Sequence, residues 1–178
     1  MVPQSASELA SYPVVDSSDN VLFYANRKQI HEDYLKHRSI HVSIEVAGGL
    51  IFLQEKANGT ENAGLWSTSV SGHVEAKESY EDAAIREIYE ELGIKVASNE
   101  LRLVRKFDPC RETGNEFVTL YTYLMDRKTS RLTVNTKEIK RVVLMPYKEV
   151  ALWIGRNRFV FSPAFLKVFA YLYINQIM

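Results

Sequence analysis

Three carboxylates at helical spacing are the first feature of the sequence that could do chemistry. Glu87, Glu90 and Glu91 stand at i, i+3 and i+4 within Tyr80–Leu92. At about 100° per residue that spacing gathers them on one side of a helix, roughly opposite a stripe of Ile85, Ile88 and Leu92. Like charges so arranged destabilise an isolated helix by about 0.2–0.5 kcal/mol per pair, and Arg86 is the only cation in the segment. A divalent cation or protonation would neutralise them, and an all-oxygen ligand set selects the hard ions Mg2+ or Mn2+. Glutamate is also a good helix former and acidic solvent faces are common. The three residues therefore take chemical meaning only from what surrounds them.

The elements that must position them can be read from punctuation and periodicity. Ser79, with Asp82 three residues on, caps the start of the helix, and Gly93 suits the left-handed residue that ends it. Before it, Ser39–Val46, the break Ala47-Gly48-Gly49 and the apolar Leu50–Gln54 read as a hairpin. A polar loop, Asn58–Gly64, and a Ser/Gly-rich turn, Ser67–Gly72, then lead into the helix. Beyond it, Leu101–Phe107, Phe117–Met125 and Ile139–Met145 carry the β-branched and aromatic runs of strands. Ala164–Gln176, opened by Pro163, places Phe165, Val168, Phe169 and Leu172 at helical spacing. The order hairpin, helix, strands, helix defines an α+β domain. Met1–Ser11 is Ser- and Ala-rich, which gives a loosely held arm over residues 1–12 and a single domain over 13–178.

Around the three glutamates the sequence reads Gly72, five residues, Glu78, seven residues, then Arg86-Glu87-Ile88-Tyr89-Glu90-Glu91-Leu92-Gly93. This resembles the complete motif of the Nudix hydrolases. Seven fixed Gly, Glu and Arg positions would coincide by chance in a chain this long on the order of once in a million. The resemblance implies a Nudix fold, a mixed β-sheet between α-helices, and an enzyme that cuts a phosphoanhydride bond in a nucleoside-diphosphate-like compound. It implies Glu87, Glu90 and Glu91 as ligands of Mg2+ or Mn2+. Arg86 and Glu78 would form an ion pair orienting the acidic face, and Gly72 would let the loop approach the helix closely. The general base differs among family members, and Glu138 and Glu112 are the nearest candidates on later loops.

The flanks are similar to a narrower branch. Leu35-Lys36-His37-Arg38-Ser39-Ile40-His41, Leu53-Gln54-Glu55-Lys56, Leu65–His73 and Phe161-Ser162-Pro163 resemble isopentenyl-diphosphate isomerase over roughly residues 15 to 170. By that resemblance His31, His37, His73 and Glu116 would form a second metal site, while the partner glutamate two residues earlier falls on Gly114. The isomerase's proton-transferring cysteine falls on Ser71, whose hydroxyl is too weak an acid to replace a thiol without an activating base. Lys56 and Arg27 match basic positions that meet the diphosphate, and Trp66 could stack on a base or pack beneath its loop.

Composition narrows the rest. The 178 residues, 46% hydrophobic, suffice for one sizeable core, and 22 basic residues balance 22 acidic ones, so no net field draws the chain to nucleic acid or to an anionic membrane. The single cysteine, Cys110, excludes an internal disulfide, and the lack of a leader or a long apolar run makes a cytoplasmic enzyme the expectation. The expected partner is a small-molecule diphosphate, and the sequence is silent on oligomeric state. Three functions remain open at this point: a diphosphate hydrolase, an isomerase of isoprenoid diphosphates, and a module that only binds a nucleotide.

Overall fold

A computed structural model describes residues 11–126 and 132–177. Nine strands and four helices occur among them. The strands are β1 (Tyr12–Val15), β2 (Val21–Ala25), β3 (His37–Val46), β4 (Leu50–Lys56), β5 (Trp66–Ser67), β6 (Val70–His73), β7 (Leu101–Phe107), β8 (Glu116–Met125) and β9 (Ile139–Pro146). The helices are α1 (Arg27–Glu32), α2 (Tyr80–Leu92), α3 (Tyr147–Arg156) and α4 (Pro163–Ile177). The main sheet runs β5-β4-β3-β8-β7, with β6 paired to β3 and β9 to β4. It is mixed, because β3 and β8 run parallel from His37↔Glu116 to Val46↔Met125 while the other ladders are antiparallel.

The alternation of β3 decides what each face of the sheet does. Ile40, Val42, Ile44 and Val46 point into one core, against Ala83, Ala84, Ile88 and Leu92 of α2. On the far side of the sheet, Leu53, Val118 and Leu120 meet the aromatic row Phe161, Phe165 and Phe169 leading into and along α4. His37, Ser39, His41 and Ser43 alternate with the first set and are all buried, so β3 presents a polar stripe away from α2. The result is an α+β fold with its sheet between helices, as the sequence implies.

α2 is bounded as expected. Ser79 accepts from the Asp82 backbone N–H, the Asp82 carboxylate accepts from the Ser79 N–H, and Gly93 closes the helix at φ 69°. Its two faces divide less cleanly than the periodicity suggests. Ile85 is half-buried, whereas Glu87 and Glu91 are buried along with Ile88 and Leu92. The Ser67–Gly72 segment is not a turn, because its backbone groups find partners in β3 and β4 and form β5 and β6. Residues 1–10 of the expected arm lie outside the described residues. Tyr12 is not loose: it packs with Val14, Ala25 and Ile30 in a third small cluster. That cluster is tied to the main sheet by Asp19, in the β1–β2 turn, which accepts from Arg38, Lys106 and Tyr80.

Candidate active site and metal centres

Two groups of ligand-type side chains meet at one cleft of about 830 Å3, lined by Glu87 and Glu138 of the first and by His73 and Glu116 of the second. The first begins with a close approach. A Cβ at Gly72 would fall 2.0 Å from Glu87 Oε1 and 2.2 Å from its Cδ, so only glycine lets β6 pass this near the helix. Arg86 clamps the other side, donating to Glu78 Oε1 at 2.7 Å and Oε2 at 3.0 Å and to the His73 carbonyl at 2.9 Å. The same guanidinium donates to Glu87 at 2.8 Å and Glu90 at 3.0 Å. The expected Arg86–Glu78 ion pair is therefore present and bidentate, and it pins the β6–α2 connection to the helix.

Glu91, fully buried, divides its oxygens between Gln54 Nε2 and Lys56 Nζ, each at 3.0 Å. Glu87, Glu91 and Glu138 can each offer an oxygen within 4.8 Å of the others. Burial, reinforced by the charge of Glu91, pushes the Glu87 carboxyl up to about 8. Burial likewise raises Glu91, against the opposing pull of Lys56. Carboxylates crowded in a low-dielectric site resist ionising together, and a cation with oxygen ligands relieves that cost. The donor set thus fits Mg2+ or Mn2+. Glu90, the third expected ligand, accepts from Arg86 with 49% of its side chain exposed, and Glu138, expected as a base, comes within reach of Glu87 and Glu91.

The second group assembles from four elements. His31 of α1, His37 of β3 and His73 of β6 bring ring nitrogens within 4.8 Å of one another, and Glu116 of β8 lies 3.2 Å from His37 Nε2 and 3.4 Å from His73 Nε2. All three Nε2 atoms are buried without a well-formed hydrogen bond, which fits a nitrogen-rich site for a borderline cation. His37 Nδ1 donates to the Leu35 carbonyl at 2.7 Å; burial opposes charging of the ring, but Glu116 beside Nε2 raises it above its usual value, so Nε2 must give up a proton before it can ligate. His73 is set the other way: the Arg27 guanidinium lies 3.0 Å from its Nδ1 and can only donate. For its Nε2 to ligate, the ring proton would have to pass to Nδ1, which Arg27 occupies. Burial opposes ionisation of Glu116, but the two histidines more than offset it and hold the carboxyl well below the usual range.

Lys56 and Arg27 both line the cleft, where Lys56 faces Glu91 and Arg27 bridges His73 and Glu61. Glu112 lines the rim, exposed. Of the two roles open to it, Trp66 takes the packing one. It is 6% exposed, its ring packs 5.1 Å from that of Trp153 and its backbone bridges to Phe161, so α3 and α4 cover the face a nucleobase would need. Sequence reasoning passes over Gln54 and Glu61, and it gives His41 no role. Gln54 occupies an inward position of an apolar strand, a signal that could have marked it as a polar partner.

The family profile described as the NUDIX domain matches residues 35–165, and the chain belongs to the Nudix family of hydrolases. Within it, the chain falls in the branch that resembles isopentenyl-diphosphate isomerase. It is 33% identical to the isopentenyl-diphosphate Delta-isomerase of Serratia proteamaculans over 121 residues, 65% of this chain and 66% of that one. It is 28% identical to Nudix hydrolase 3 of Arabidopsis thaliana over 77% of this chain but only 19% of that protein. Among solved structures, DR0079 from Deinococcus radiodurans superposes with a TM-score of 0.70 at 20% identity, covering 83% of this chain and 90% of the other. The NUDIX domain of Shewanella oneidensis NrtR, complexed with ADP ribose, gives 0.61 at 12% identity over 86% and 100%. These two likenesses carry the fold.

Proposed function

We propose that the chain is a Mg2+- or Mn2+-dependent hydrolase that cleaves a phosphoanhydride bond in a nucleoside-diphosphate-linked or similar diphosphate. The observation that carries this reading is the convergence of Glu87, Glu91 and Glu138 beside Gly72. Those three carboxylates would hold the cation, with Glu90 and Arg86 at its outer side. When bound, the cation neutralises the diphosphate and makes its phosphorus open to water. Glu78 and Arg86 hold the helix against β6, so the carboxylates keep their positions. Lys56 and Arg27, on the cleft wall, supply charge to the phosphate oxygens. Glu138, within the acidic group, or Glu112, at the rim, takes the proton from the attacking water.

The histidine group and the names of the isomerase relatives favour a second reading, isomerisation of an isoprenoid diphosphate. It lacks a proton-transferring thiol in the cleft. Ser71 stands there, and Cys110 instead meets Lys167 Nζ at 3.1 Å. A module that only binds nucleotides has no need of the buried acid cluster. The test is phosphate release from a panel of nucleoside diphosphate compounds with Mg2+ or Mn2+, with Glu91→Gln as control, beside an assay for isopentenyl to dimethylallyl conversion. Release by the wild type alone supports the hydrolase. Isomerisation that disappears in His73→Ala overturns it.

A further inference from the structure

Glu61 stands on the loop that joins β4 to β5 and reaches α1 with its side chain. Its Oε2 lies 3.5 Å from His31 Nε2 and 3.3 Å from the Arg27 guanidinium. The loop is closed at its neck, where the Lys56 N–H donates to the Leu65 carbonyl at 3.0 Å and the Gly64 N–H to the Lys56 carbonyl at 2.9 Å. Its base is pinned to a member of the acidic group, because the Ala57 N–H donates to the Glu138 carbonyl at 2.8 Å. Thr60 Oγ1 donates to the Ala57 carbonyl at 2.7 Å, and Asn62, at φ 59°, takes the left-handed conformation that asparagine tolerates and turns the chain just after Glu61. The backbone therefore presents Glu61 from a braced frame, and its side chain, 45% exposed, is free to adjust.

Charge and spacing make Glu61 part of the histidine centre. A divalent cation held by three neutral imidazoles and Glu116 alone would keep one uncompensated positive charge beside the buried rings of His37 and His73, and burying an unpaired charge is costly. One further carboxylate cancels it. Gly114, whose Cβ would lie 3.8 Å from Glu116 Oε1, brings no side chain. Glu61 stands on the open side, beside His31, the most exposed of the three rings. The spacings agree with this role. Ligand atoms each about 2.1 Å from one ion lie about 3.0 Å apart at a right angle and about 3.4 Å apart at the tetrahedral angle. His31 to Glu61, His37 to Glu116 and His73 to Glu116 measure 3.5, 3.2 and 3.4 Å, longer than the roughly 2.7–2.9 Å of a charge-assisted hydrogen bond. Arg27, which donates to Glu61 and meets His73 Nδ1 at 3.0 Å, is the positive charge that these side chains otherwise face.

We infer that Glu61 is a ligand of the histidine centre, so that a borderline cation such as Zn2+ is held by His31, His37, His73, Glu116 and Glu61 together and straps loop 57–64 to α1. The inference concerns a site apart from the acidic group and stands whichever bond the cleft cuts. Its consequence is mechanical as well as chemical. The loop carries Gly59, Thr60 and Asn62 of the cleft wall, so occupancy of the histidine centre fixes one side of the cleft.

The test is calorimetric titration of Zn2+ into the metal-free full chain in millimolar Mg2+, which competes for the acidic group. The binding event that disappears in His73→Ala is the one to follow. Glu61→Gln, nearly isosteric and on an exposed loop, should weaken that event at least about tenfold, since loss of a residue that merely supports a ligand already costs about 10–100-fold. Glu61→Asp keeps the charge but falls short by one methylene, and it should weaken the event at least about threefold, whereas a charge acting through space would leave it unchanged. Hydrogen exchange of amides 58–63 should slow on Zn2+ addition in the wild type and not in Glu61→Gln. The inference is overturned if no Zn2+ event depends on His73, if Glu61→Gln stays within about twofold of wild type, if Glu61→Asp binds like wild type, or if loop exchange is indifferent to Zn2+. Phosphate release from the same samples bears on the hydrolase reading alone.

Discussion

Replacing Gly72 by alanine adds one methyl group where the structure has no room for it. The new Cβ would stand 2.0 Å from Glu87 Oε1, while ordinary contact begins near 3.4 Å, so the carboxylate must retreat by about 1.4 Å. It can retreat only by giving up the 2.8 Å bond from Arg86. Overpacking of this kind costs about 1–3 kcal/mol, and alanine returns about 0.4–1 kcal/mol by restricting the unfolded chain. For a chain of this length a net loss near 1–2 kcal/mol lowers Tm by about 2–8 °C. The larger effect falls on the metal. A misplacement of about 1 Å at a reacting centre costs on the order of a hundredfold in turnover. The wild type should gain about 2.7 kcal/mol of stability when Mg2+ reaches a hundred times its Kd, and Gly72→Ala should lose most of that gain. Melting curves with and without Mg2+, beside phosphate release, test both effects. A variant that keeps the full Mg2+-dependent shift and turns over within about threefold of wild type would refute the idea that this close approach sets the position of Glu87.

The other expectations separate neighbouring residues. Glu91→Gln should abolish the Mg2+-dependent rise in Tm, whereas Glu90→Gln, at an exposed position outside the Glu87–Glu91–Glu138 group, should leave much of it; equal losses in melting experiments would contradict this division. Arg86→Ala should lower turnover about 10–100-fold with the fold intact by circular dichroism, and full activity would show that the clamp to Glu78 is dispensable. Arg27→Leu frees His73 Nδ1 for a proton and removes a nearby cation, so Zn2+ titrated calorimetrically into metal-free protein should bind about tenfold tighter; unchanged or weaker binding would argue against the tautomer assignment. Asp19→Asn should cost about 3 kcal/mol in urea unfolding at pH 7 through lost charge-assisted bonds. Burial opposes ionisation of Asp19, but the bonds from Lys106, Arg38 and Tyr80 win and depress its carboxyl. Its contribution is therefore present above the unfolded value near 3.9 and lost as pH falls through the lower folded value; a stability gap between wild type and Asp19→Asn that stays constant down to about pH 2 would exclude this charge as the cause.

What the sequence disclosed follows from how local each signal is. The helix around Glu87, the β3–β4 hairpin, the strands β7 to β9 and the terminal α4 all carry their periodicity and punctuation within a few turns of chain. α1 has six residues, too few for a periodic signal, and sequence reasoning passes over β1, β2 and α3 as well. β5 and β6 contain the Ser and Gly residues of a turn, and only pairing across to β3 and β4 makes them strands. The site divides in the same way. Arg86 and Glu78 can be paired through the motif the resemblance supplies, while Glu138 reaches Glu91 from a distant loop that no periodicity connects to the helix. The histidine group is visible only through resemblance, since its members come from four elements. Trp66 admits both a stacking and a packing role on sequence alone, because nothing local reveals that Trp153 and Phe161 cover it.

The parallel ladder between β3 and β8 also governs when the protein acquires its sites. Its first rung joins His37 to Glu116, residues about 80 positions apart, and such long-range pairing must bear the loop-closure entropy before any contact rewards it. On a ribosome adding about 5–20 residues per second, several seconds separate the synthesis of His37 from that of its partner. Until β8 docks, β3 has an open edge and the histidines lack their carboxylate, although the acidic helix already has its own caps. Both candidate metal centres are therefore completed late: the histidine group waits for Glu116 of β8, and the acidic group for Glu138, which follows it in the chain.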